Sequence, residues 1–101
     1  MGYWLGIVRV RQEGCLHTYG YGREGALEGH LTLDVAANLL YPSLDDGTRT
    51  SLAYVDAGGE DGARGDLDRE SWTRFLEAAL GVLKRLKTDG EPPRTADRIY
   101  G

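Results

Sequence analysis

The chain has 101 residues, with 12 Lys and Arg against 16 Asp and Glu, a net charge of −4 and 41% hydrophobic residues. This is the size and mix of one domain spanning residues 1–101, large enough to bury a modest core. The acidic balance repels phosphate backbones and so argues against a nucleic-acid partner. No apolar run approaches the ~20 residues that cross a bilayer, and no signal-peptide pattern is read, so no membrane association is expected. Cys15 is the single cysteine; it cannot form an internal disulfide and suits a reducing, cytoplasmic compartment. The abundance of Gly, Ala and Arg has the look of a GC-rich bacterial genome.

In chain order, residues 3–10 read as a strand with apolar residues on both faces, and residues 12–14, Gln-Glu-Gly, as a three-residue turn with glycine at the bulge position. Residues 15–21 make a second strand and residues 22–25 a four-residue turn. The third strand, residues 26–35, alternates cleanly through Leu27, Leu31, Leu33 and Val35. Residues 36–47 hold Tyr41-Pro42 and Asp45-Asp46-Gly47 and read as a connector. Residues 49–56 are a weaker fourth strand, residues 57–66 a flexible, glycine-rich acidic loop, and residues 91–101 an extended tail.

Between loop and tail, residues 67–90 carry the strongest pattern. Trp72, Phe75, Leu76, Ala79, Leu83 and Leu86 recur at the spacing that lines one side of a helix, widened by Leu80 and Val82. Asp68 is the expected N-cap, with Leu67 and Trp72 as a hydrophobic staple. Lys84, Arg85 and Lys87 suit the C-terminal end of the dipole. Gly90 supplies a left-handed stop before Pro92 and Pro93. Gly81 is placed on the solvent side. The fold class is therefore α+β, an antiparallel meander of about four strands with one long C-terminal helix packed on one face.

Turn lengths predict which residues share a face. Pairing Arg11 with Cys15 and Tyr21 with Ala26 puts Arg9 opposite His17, Ile7 opposite Tyr19, His17 opposite His30, and Tyr19 opposite Glu28. Trp4, Val8, Val10, Leu16, Leu27, Leu31 and Leu33 then gather under the helix. The opposite face collects Tyr3, Leu5, Ile7, Tyr19 and Tyr21, beside Arg9, His17, Glu28 and His30. A one-residue slip would exchange the faces. Clustered tyrosine with a polar border is the composition of an interface, unless the connector or the tail covers it.

Candidate chemistry is sparse. Cys15, His17, His30 and Asp34 are metal-ligating types on neighbouring strands, but Arg9 in the same row opposes a cation and close ligand pairs are missing, so no metal is expected. Asp66, Asp68, Glu70 and Glu77 match positions of a calcium loop, yet Ser71 stands where that loop needs glycine, and helix-capping acids explain them better. Cys15 and His17 lack the orienting group and oxyanion donors of a thiol nucleophile. Arg64-Gly65-Asp66 is read as coincidence, and the glycines match no nucleotide loop. No cofactor is expected.

The Tyr19-Gly20-Tyr21-Gly22 to Leu33-Asp34 hairpin and the helix ending in Asp89-Gly90-Glu91-Pro92 resemble small bacterial α+β proteins of unassigned function, including immunity proteins encoded beside polymorphic toxins. The resemblance transfers no functional residue; it implies a small, acidic, cytosolic inhibitor capping a partner's active site. The expectation is a non-enzymatic protein-binding module that dimerises or holds a protein partner through Tyr3, Leu5, Ile7, Tyr19 and Tyr21, with Asp45, Asp46, Asp56, Glu60 and Asp61 as its acidic contribution. The alternative is a small enzyme or anion-binding protein with its site at Arg9, His17, Glu28 and His30, where arginine holds an anion and a histidine shuttles a proton. A structural subunit of a larger complex is a third reading.

Overall fold

The computed structural model describes residues 3–23, 27–58 and 61–100, giving the backbone alone for residues 3–4 and 97–100. The described chain forms β1 (Tyr3–Glu13), β2 (Leu16–Arg23), β3 (Gly29–Asp34), β4 (Leu39–Ser43), β5 (Tyr54–Asp56), β6 (Gly62–Ala63), α1 (Arg69–Asp89) and β7 (Thr95–Tyr100). All strands join one antiparallel sheet in the order β6-β5-β4-β3-β2-β1-β7. The meander runs from β1 to β6, and α1 then crosses the sheet so that β7 pairs with the far side of β1.

The α+β class with one helix on an antiparallel sheet stands, but the sheet has seven described strands rather than about four. The connector contains β4, the acidic loop contains β6, and the tail becomes β7. Pro42 argues against a strand in the sequence, since it cannot donate to a ladder. It stands beyond the last β4–β5 pair, Leu40↔Val55, where only an isolated Ser43↔Arg49 bridge continues the pairing. The Pro42 carbonyl accepts from Thr50 N–H at 3.0 Å, so Pro42 takes part as an acceptor and its missing N–H is tolerated.

α1 has the ends its sequence encodes. The Asp68 side chain accepts from Ser71 N–H at 3.3 Å, and Gly90 stops the helix at φ 76°, its N–H donating to the Leu86 carbonyl at 2.8 Å. The buried stripe is Phe75, Ala78, Ala79, Gly81, Val82 and Leu83. Gly81 is thus buried, not solvent-facing, and Leu80 is the exposed member. Trp72 packs on Phe75 with ring centroids 5.8 Å apart, and with Leu67, Leu76 and Leu86 it flanks the core, half-buried.

The core lies between α1 and a sheet face made of Leu5, Ile7, Tyr19, Tyr21, Leu31, Leu33, Leu40 and Val55. This reverses part of the expected arrangement: Leu31 and Leu33 lie under the helix as expected, but the helix covers the tyrosine-bearing face with them, and Val8 and Leu27 lie outside the core. Register explains the reversal. β2 and β3 pair as Tyr19↔Leu31 and Tyr21↔Gly29, three residues from the expected pairing, and an odd displacement exchanges faces. The hairpin between β1 and β2 is also displaced by three at its turn, which is the two-residue Gly14–Cys15 with Gly14 at φ 59°. There, however, a β-bulge between Arg9 and Arg11 takes one residue back. The net shift of two, Ile7↔Tyr21, leaves Leu5 and Ile7 on the tyrosine side as expected.

Both tyrosines are committed to this core. Burial pushes each phenol up to about 12. The Tyr21 ring lies across β3 so closely that a Cβ on Gly29 would stand 2.7 Å from its Oη. Tyr19 is fully buried, and its hydroxyl donates to the Pro93 carbonyl at 2.7 Å, fastening the segment between α1 and β7. Tyr19→Phe keeps the ring but leaves that carbonyl without its donor, so urea unfolding is expected to show a loss of ~1–3 kcal/mol; an unchanged midpoint would mean the bond holds nothing in place.

Candidate functional site

The structure disperses the residues singled out in the sequence. Leu5, Ile7, Tyr19 and Tyr21 are core, so the expectation that they form an open docking face is corrected. Tyr3 lies in β1, with its side chain outside the described residues. Of the alternative site, Arg9 and His17 meet on the helix side of the sheet, while Glu28 and His30 lie elsewhere. Glu28 accepts from Arg23 at 3.0 Å and faces Arg74 of α1 at 3.4 Å; the Arg23 contact, with the two cations, holds its carboxyl below the usual range. His30 is across the sheet beside Gly20.

The metal-ligating types separate in the same way. Cys15 is exposed in its turn with Sγ 3.7 Å from Asp34 Oδ1, whereas His17 points to the other face. Among the described residues no group of three or more His, Cys, Asp or Glu side chains is placed to hold a metal ion. The acids of the loop have structural partners: Asp66 accepts from the Ser51 hydroxyl and from Leu52 N–H, which hold its carboxyl low. Glu60 falls outside the described residues.

Two features remain. The first is the Arg9–His17 contact. Gln12, not Arg9, is the ladder partner of His17, and the Arg9 side chain reaches it diagonally, Nη1 to Nδ1 at 3.2 Å. Arginine can only donate, so Nδ1 must accept and the proton of the neutral ring sits on Nε2. Burial, then the charge of Arg9, lowers the His17 pKa. Arg9 and His17 lie in the wall of a cavity of about 490 Å³ closed on its other side by the end of α1 and residues 91–95. Backbone bonds shape its lip, since Arg9 N–H donates to the Arg94 carbonyl at 2.8 Å.

The second feature is the sheet face away from α1. Its middle is a buried polar ladder: the Thr18 and Thr32 hydroxyls are 2.9 Å apart, and those of Thr32 and Ser43 are 2.8 Å apart. The long β4–β5 connection folds over it. Gly47, at φ 93°, comes so near that a Cβ there would lie 3.3 Å from Thr18 Oγ1. Arg49 stacks 5.0 Å above the Tyr41 ring and donates to the carbonyls of Ser51, Leu52 and Ala53, keeping the connection folded. That cover leaves three aliphatic side chains open. Val8 (47%), Val10 (46%) and Leu27 (62%) stay exposed, with Leu27 laid over Gly20 next to His30.

The depressed pKa of His17 makes stability depend on pH. The unfolded ring titrates near ~6.5 and the folded ring lower, so on acidification the unfolded chain takes the proton first. Stability is expected to fall as pH drops through ~6.5 and to level off below the folded value. Urea unfolding at a series of pH values should show this slope in the wild type and lose it in His17→Gln; an equal slope in both would place its origin elsewhere.

Comparison with family models, with curated proteins and with solved structures finds no match to this chain.

Proposed function

We propose that this chain is a non-enzymatic protein-binding module that docks through the uncovered strip of its second sheet face. The observation that carries this reading is the half-exposure of Val8, Val10 and Leu27 on a sheet whose other face is closed by α1 and whose second face is otherwise roofed by the β4–β5 connection. Contiguous aliphatic surface with a polar border is typical of interfaces. His30 borders it, Asp34 follows on the same face of β3, and Asp45 and Asp46 open the roofing connection. With a net charge of −4, the partner that fits has an apolar centre and a basic rim. A cytoplasmic inhibitor of the immunity-protein kind, or a homodimer, is the form the resemblance and the strip support.

Val8→Glu with Leu27→Glu should leave the thermal unfolding midpoint nearly unchanged, because both side chains are already half in water. The same pair should abolish co-purification of the native partner, or concentration-dependent dimerisation in sedimentation. Leu52→Glu, equally apolar and 74% exposed but off the strip, serves as the control. Equal loss in both variants, or in neither, would contradict the proposal.

A further inference from the structure

The cavity beside α1 has features that the core and the open strip leave unexplained. Arg9 is half-buried, yet its one side-chain partner among the described residues is a neutral imidazole rather than a carboxylate. His17 is more than nine-tenths buried, and its Nε2 proton has no protein acceptor among the described residues. Beyond their mutual contact, the remaining guanidinium N–H groups and the imidazole Nε2–H thus stand side by side in one wall as donors. Leaving such groups unmatched is unfavourable, and an oxyanion satisfies both.

The charges around the cavity define the anion. Arg85 is paired with Asp89 at 3.1 Å, and setting the one remaining carboxylate of the lining, Glu91, against the two remaining cations, Arg9 and Arg94, leaves one positive charge in excess. One uncompensated charge matches a monoanion better than a phosphate dianion, and the planar guanidinium fork matches a carboxylate. The volume, about 490 Å³, falls within the ~300–1,000 Å³ range of small-molecule pockets and exceeds what a bare inorganic ion fills.

We infer that the cavity between β1, β2 and the α1–β7 segment is a binding site for a small organic carboxylate, gripped by the Arg9 guanidinium and the His17 Nε2–H. The carboxylate accepts from both groups, and no bond is made or broken. The site lies on the opposite side of the sheet from the protein-docking strip and is independent of it.

The test is imidazole ¹⁵N–¹H NMR of the full chain titrated with acetate, glycolate and inorganic phosphate at constant ionic strength. His30, across the sheet, is the internal reference. Acetate and glycolate should shift the His17 signals saturably while His30 stays still, and phosphate should bind at least tenfold more weakly. Arg9→Gln should weaken carboxylate binding tenfold or more. Arg9→Lys, which keeps the charge and loses the fork, should also weaken it and guards against misfolding of the glutamine variant. Equal movement of His17 and His30, phosphate binding as tight as carboxylate, or unchanged binding in both Arg9 variants would each overturn the assignment.

Discussion

Everything in this molecule depends on the contact between α1 and the Leu5/Ile7/Tyr19/Tyr21/Leu31/Leu33 face of the sheet. One helix can desolvate one face, so this contact decides which half of each strand is core and which half meets water or another molecule. It also carries the chain from one sheet edge to the other, which lets β7 close on β1. The Tyr19 hydroxyl on Pro93 ties that return segment back into the core. Gly29 makes room on this face for the Tyr21 ring that lies over it.

Once the helix has taken the tyrosine face, the second face is left with a problem that the chain solves only in part. A row of buried hydroxyls through Thr18, Thr32 and Ser43 satisfies its own hydrogen bonds and is roofed by the β4–β5 connection, which Arg49 holds in shape. The roof ends before Val8 and Leu27. The uncovered strip and the cavity at Arg9 and His17 are therefore consequences of where the two covers stop.

The elements were legible where local chemistry decides them. The helix, its Asp68 cap and its Gly90 stop follow from side-chain patterns that act within a few residues. The first three strands were legible for the same reason; Arg9 and His17 do meet, but diagonally through the Arg9 side chain and not as the cross-strand pair that turn length predicted. Faces were not legible, because they depend on register, and register depends on turn length. An error of three at the Gly14–Cys15 turn was repaired by the bulge at Arg9–Arg11, whose presence no residue type announces. The same error between β2 and β3 had no bulge to correct it: Leu31 and Leu33 lie under the helix as expected, but they were separated from Tyr19 and Tyr21, whose face they share, and His30 was set beside the tyrosines instead of across the sheet. β4 and β7 escaped notice because Pro42 and the short polar tail lack strand character of their own; they are strands because a neighbour offers them a ladder.

The face assignment is tested most directly by two neighbouring residues on one strand. Ile7 is 2% exposed and Val8 is 47% exposed. Lysine at position 7 must bury an unpaired charge under α1, whereas lysine at position 8 points into water. In urea unfolding, Ile7→Lys is expected to cost ~3 kcal/mol or more, or to prevent folding, and Val8→Lys to stay within ~0.5 kcal/mol of wild type. The opposite order, with Val8→Lys the damaging change, would put the helix on the other face and contradict the account.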